Sequence, residues 1–251
     1  MSEYGNARAC PTASAHARFS VEVRGLRKAY GERVVLDVES LSLVTGRSYA
    51  LVGPNGSGKS TLLKVLSGVV DATAGSIDVV GGVARDAVTV GYMPQRSYAF
   101  GFSVFRNVSL ALDGSGLSKS EVNDRVRAAL EAVGMGALAD ARGSGLSGGE
   151  AQRVALARIL VRDLDVVLLD EPTASMDIAG TMLVEEALAR YRQRTGCLMV
   201  TATHAPSQAR RISDEAIMLS AGHVVELGAT SDVLTHPTSP EGCEFLSYWS
   251  L

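Results

Sequence analysis

Long apolar runs are missing from this 251-residue chain, although its mean hydropathy is slightly positive at +0.15. No stretch approaches the roughly 20 consecutive apolar residues that cross a bilayer, so a membrane role would have to run through a partner. Positive charge is not in excess either. The 24 Lys and Arg against 27 Asp and Glu give a net −3, which argues against a general nucleic-acid binder. Cysteine is scarce: Cys10, Cys197 and Cys243 are odd in number, far apart and form no C-x-x-C pair. That excludes a zinc framework and a disulfide scaffold, and fits a reducing cytoplasm. Residues 1–18 are rich in Ala, Ser and Thr but carry no apolar core of a signal peptide, so they read as a loose tail. There is no internal repeat.

What the chain does have is G-P-N-G-S-G-K-S-T over residues 53–61. The apolar run Tyr49, Ala50, Leu51, Val52 precedes it, and Leu62, Leu63, Val65 and Leu66 follow at helical spacing. Strand, glycine-rich loop and helix are the setting of a phosphate-binding loop. Glycines let successive backbone N–H groups turn inward, and the helix start adds partial positive charge, so anionic phosphate is favoured there. In such a loop Lys59 reaches the β- and γ-phosphates and the Ser60 hydroxyl ligates Mg²⁺. The competing reading is a glycine-rich turn that binds nothing.

Around that loop the spacing predicts a strand through Val21, Val23 and Leu26, a turn at residues 30–33, and further strand over 34–44 with a break near Asp37. After the first helix it predicts a strand over 76–80, a hairpin turn at Gly81 and Gly82, and a strand over 89–93. From Phe100 to about Leu160 the pattern is helical. Ser118 and Glu121 form a capping-box pattern, with Val122, Val126, Ala129, Leu130 and Val133 on one face. We expect a helical insert over about 97–160 within an α/β domain spanning 19–235, followed by a tail over 236–251 that holds the only tryptophan, Trp249.

Further residues carry potential chemistry. A second glycine-rich loop over 143–149 opens a helix at Glu150; it reads either as a flexible cap or as another anion-seeking helix start. The continuous apolar strand 166–169 suits a parallel sheet buried on both faces, and it ends in Asp170 and Glu171. Acids at such a strand end sit where open α/β sheets bind ligands. Asp170 would hold Mg²⁺ and Glu171 would orient or deprotonate water, unless they are merely a solvated strand end. His204 follows the strand over 197–201 and is either structural or a γ-phosphate contact. Tyr30 reads as a surface aromatic, or as a platform for an adenine ring.

Together these motifs resemble the ATP-binding-cassette (ABC) transporter ATPase family over about residues 20–235. Residues 53–61 match its Walker A loop, Gln95 its Q-loop, L-S-G-G-E-A-Q-R (146–153) its signature, V-V-L-L-D-E-P (166–172) its Walker B strand, Asp177 its D-loop and His204 its H-loop. Tyr30 falls where the family places its adenine-stacking aromatic. Departures are Glu150 for the commoner Gln, Met176 for Leu and Ala205 for Asp; the first is expected to matter little.

The resemblance implies an α/β P-loop NTPase fold of ABC type, with a mixed sheet core, an antiparallel β subdomain and a helical subdomain insert. It implies ATP and Mg²⁺ as cofactors. Nucleotide contacts fall to Tyr30, Gly53, Pro54, Asn55, Gly56, Ser57, Gly58, Lys59, Ser60, Thr61 and Asp177. The signature residues Ser147, Gly148, Gly149 and Glu150 would act on the partner protomer's ATP, across a head-to-tail homodimer with two nucleotides at its interface. Ser60, Gln95 and Asp170 form the metal set, and Glu171, His204 and Gln95 the catalytic one. It also implies a separate transmembrane permease, a cytoplasmic-face location and, for an importer, a substrate-binding protein. The segment 203–214, with Gln208-Ala-Arg-Arg211 as its main cue, is similar to cassettes of tungstate- and phosphate-type oxyanion importers, or is simply an amphipathic surface helix. The alternative class is a soluble ABC ATPase acting on nucleic acid or ribosomes. This chain has neither long coiled coils nor a second cassette, and an unrelated P-loop kinase or GTPase would leave the signature unexplained.

Overall fold

The computed structural model describes residues 18–249 and divides them into two compact units. Residues 1–17, with nearly all of the expected N-terminal tail and Cys10, lie outside the described residues, as do 250 and 251.

The larger unit holds residues 18–95, Leu164–Ala174 and 189–249. Its first sheet is antiparallel. Strand β1 (Phe19–Tyr30) lies between β2 (Arg33–Val44) and β4 (Ala74–Gly81). Alternation puts Val21 and Val23 of β1 and Leu41 and Leu43 of β2 on the buried face, and Leu36 and Val38 are buried beyond a change of phase at Glu39 and Ser40. The break expected near Asp37 does not occur: β2 is continuous and Asp37 pairs with Arg27. The register shifts instead between Lys28 and Ala29 of β1, opposite Leu36 and Val34, which leaves Val35 of β2 as the extra residue.

The second sheet runs β5 (Val90–Met93), β6 (Val166–Asp170), β7 (Leu198–Ala202), β3 (Ser48–Val52), β8 (Glu215–Ser220) and β9 (His223–Ala229). Only the last pair is antiparallel. Every residue of β3, β6 and β7 is buried, as helix-covered parallel strands require. The expected hairpin at Gly81 and Gly82 is not formed, because β4 and β5 belong to different sheets. Helix α1 (Lys59–Leu66) packs Leu62, Leu63 and Val65 into a core that also draws on both sheets.

A second core gathers Ala50, Val52, Ala209, Met218, Val233 and Leu234. It is covered by α6 (Pro206–Ile212), α7 (Thr230–Thr235) and α8 (Pro240–Ser247). Residues 240–247, read as tail from sequence, are thus helical. Ser239 caps α8, Pro240 opens it, and Phe245 is buried in the same core.

The smaller described unit comprises Arg96–Asp163 and Ser175–Leu188. It contains α2 (Val104–Ser109), α3 (Lys119–Ala132), α4 (Gly148–Leu160) and the first part of α5 (Ile178–Thr195). Val104, Val108, Val126, Leu130, Met135 and Val154 form its interior. The capping box expected at Ser118 and Glu121 is present in both directions.

Candidate nucleotide site

Four parallel strands carry their C-terminal ends to one edge of the second sheet. Beyond β3 comes the loop over 53–58, beyond β5 Gln95, beyond β6 Glu171, and beyond β7 His204. The loop needs its glycines. Gly53 and Gly58 have φ of 140° and 108°, and a Cβ on Gly53 would overlap the Leu219 carbonyl oxygen. Lys59 is buried and donates from Nζ to the carbonyl oxygens of Gly53 (2.8 Å) and Pro54 (3.0 Å). Burial lowers its pKa, and the Glu171 and Asp170 carboxylates oppose that shift. The Ser57 hydroxyl is buried without a hydrogen-bond partner, while Pro54, Asn55 and Gly56 are exposed. A cradle that only glycine can line, a desolvated cation and an unmatched hydroxyl fit a phosphate group.

Asp170 is only 2% exposed, and burial raises its pKa against the pull of the Ser60 hydroxyl and the nearby lysines. A carboxyl group held there beside a hydroxyl offers the oxygen donors a hard cation takes. Tyr92 on β5 also faces it. Burial, with Asp170 as the second cause, pushes that phenol up to about 12, so it stays protonated. The sequence reading missed Tyr92, although its place three residues before Gln95 on a short strand was a usable signal.

Glu171 has φ 50°, a left-handed conformation uncommon outside glycine and frequent at functional positions. Its N–H is held by the Ala202 carbonyl at 3.0 Å. Its Oε2 accepts from Gln95 Nε2 at 3.1 Å, and His204 Nδ1 lies 3.4 Å from the same oxygen. The ring of Trp249 stands 6.3 Å from the His204 ring. Tyr30, 53% exposed at the end of β1, carries Lys28 over its ring at 4.9 Å.

In the helical unit Ser147 caps α4, and Glu150 does more than the sequence reading allowed. Its carboxylate accepts from the Ser147 N–H (2.8 Å) and hydroxyl (2.7 Å), closing a second capping box. These bonds hold the Glu150 carboxyl below its ordinary pKa. The S-x-x-E spacing was there to be read. Gly149 is required, since a Cβ would come 2.7 Å from the Ser175 carbonyl oxygen. Asp177 accepts from the Gly180 N–H at 2.7 Å at the start of α5.

Comparison with known proteins identifies the family. The family described as ABC transporter matches residues 36–174. The chain belongs to that family. It is an ATP-binding cassette with ATPase activity, of P-loop α/β fold. It is 37% identical over 210 residues to the tungstate uptake system ATP-binding protein TupC of Peptoclostridium acidaminophilum, covering 82% of this chain and 97% of that one. It is 34% identical to the maltose/maltodextrin import ATP-binding protein MalK of Yersinia pestis, over 88% of this chain but only 61% of the relative. Among solved structures, the cassette MJ0796, described as dimeric and bound to ADP and Pi after hydrolysis, superposes with a TM-score of 0.75. The identity is 25%, over 84% of this chain and 98% of that one. The matched family region ends at Ala174, and the roles of the individual site residues rest on the sequence motifs and their placement in the fold.

Proposed function

We propose that this cassette hydrolyses MgATP at the edge where β3, β5, β6 and β7 end, and so energises a separate membrane permease. The observation that carries the chemistry is Glu171 Oε2, approached by both Gln95 and His204 beside the loop that holds Lys59. Lys59 exchanges its two carbonyl partners for the β- and γ-phosphates, a replacement a desolvated ammonium favours. Ser60, Asp170 and Gln95 would hold Mg²⁺, which would neutralise charge on the phosphate oxygens. Glu171 orients and deprotonates the attacking water, and His204 contacts the γ-phosphate. Tyr30 stacks on the adenine ring.

Two protomers pair head to tail, with Ser147, Gly148, Gly149 and Glu150 of one closing on the nucleotide of the other, and Asp177 beside the same interface. ATP shifts the equilibrium because it binds the closed pair more tightly than the open one. The cargo is an oxyanion such as tungstate or phosphate, delivered by a substrate-binding protein to a permease on whose cytoplasmic face the cassette sits. Support comes from the similarity to the tungstate cassette along nearly its whole length. Among the described residues no helix is long and apolar enough to cross a membrane, which fits a separate permease.

Glu171→Gln should bind ATP, accumulate as a dimer and stop turning over; unchanged turnover would remove Glu171 from its role. Lys59→Ala should lose nucleotide affinity, and normal ATP binding in that variant would reject the phosphate loop. Tagged Glu171→Gln protein, recovered from gently solubilised native membranes, should bring down a multi-span permease. Recovery with ribosomes or DNA factors would instead support the soluble class of ABC ATPase.

A further inference from the structure

We infer that Gln208 is a positioning residue for ATP hydrolysis, tying the loop that carries Glu171 to the loop that carries His204. This inference rests on the proposed roles of those two residues. The ladder between β6 and β7 ends at Asp170 and Ala202. Past that point Glu171 and His204 lie outside the strands, yet their side chains come within 3.4 Å of each other. One backbone bond, Glu171 N–H to the Ala202 carbonyl, continues the pairing. A second link is Gln208, on α6 and 7% exposed. Its Nε2 donates to Thr173 Oγ1 at 2.8 Å, two residues past Glu171. Its Oε1 accepts from the Thr203 hydroxyl at 2.7 Å, one residue before His204. Thr203 Oγ1 in turn accepts the Ala205 N–H at 3.1 Å, so both residues flanking His204 enter the network.

A primary amide suits this bridge because one group both accepts and donates. Burial makes the geometry strict, since an unmade bond there leaves a polar group desolvated. The residue that served as a substrate cue in the sequence is, in the fold, a tie beneath the catalytic pair. Its bonds to Thr173 and Thr203 bear on the neighbours of Glu171 and His204, whereas Lys59 is held by the carbonyls of Gly53 and Pro54. Removing it should therefore displace Glu171 and His204 relative to each other while sparing nucleotide capture.

The test uses the full chain with Gln208→Met, which keeps length and removes both bonds, and Thr173→Val, which removes one. Displacement of a catalytic group predicts a kcat about tenfold lower for Gln208→Met, with KM for ATP within about twofold because Lys59 is untouched. Each variant is also combined with His204→Ala. If Gln208 acts through His204, the double variant should be no slower than His204→Ala alone. Full kcat in a folded Gln208→Met protein, or losses that multiply with His204→Ala, would overturn the inference. If Gln208→Met does not fold, Thr173→Val carries the same comparison. Should His204→Ala itself turn over normally, the assignment of the catalytic pair fails instead, and the two failures are distinguishable.

Discussion

Ser147 and Glu150, proposed above as nucleotide contacts, also build the start of a helix. The serine caps α4, and the glutamate holds the serine's N–H and hydroxyl in the conformation the cap needs. At this third helical position a glutamine can close the same box, so Glu150→Gln should leave the thermal midpoint and ATP-driven pairing close to wild type. Ser147→Ala loses the cap, at about 1 kcal/mol, and should melt earlier even without nucleotide. A scanning calorimetry series compares the two, and a Glu150→Gln midpoint below that of Ser147→Ala would mean the box does not operate. The same residues show where motif reading stops. L-S-G-G-E reports a signature by its order of types, but the reason for Glu150 lies in a local hydrogen bond. The φ of Glu171 is further out of reach, since nothing in D-E-P states that the acid leaves the strand left-handed.

Among the elements, the start of β3 is secured at a distance in sequence. Asp214, just before β8, accepts from the Ser48 N–H and hydroxyl, both at 2.9 Å, and from Arg192 of α5 at 2.5 Å. Burial would raise its pKa, but the Ser48 bonds and the Arg192 charge together hold it below the ordinary 3.8. The ionised form is thus favoured by folding, and that contribution is present above about pH 4, then lost as pH falls through the depressed folded value. Asp214→Asn should lower the urea midpoint at neutral pH, and the difference from wild type should shrink below about pH 4. A gap that stayed constant down to acid pH would show that the carboxylate's charge is not the cause.

Such ties also explain what could and could not be read along the chain. The buried parallel strands β3, β6 and β7 were legible because helix-covered strands are apolar throughout. The hairpin expected at Gly81 and Gly82 failed because local turn chemistry says nothing about which sheet a strand joins. Helix α8 was missed because its stability comes from Phe245 in a distant core and from Ser239 donating to the buried Glu226, and neither partner lies nearby in sequence.

At the scale of the whole molecule, α8 gives the catalytic edge a built-in reporter. Trp249 follows that helix, is the only tryptophan of the chain, and stands against His204. The residue is 39% exposed, so its emission is sensitive to solvent and to the neighbouring imidazole. Because Phe245 fixes α8 to the core behind β3, any change at that ring pair should come from His204 more than from the tryptophan. If His204 turns to a γ-phosphate, adding MgATP to Glu171→Gln should shift Trp249 emission without hydrolysis. Combining His204→Ala with Glu171→Gln should abolish the shift while a fluorescent ATP analogue still binds. The comparison separates capture of the nucleotide at Lys59 from engagement of its last phosphate at His204. An equal shift with and without the imidazole would place the signal elsewhere, and His204 would no longer be the group that senses the phosphate.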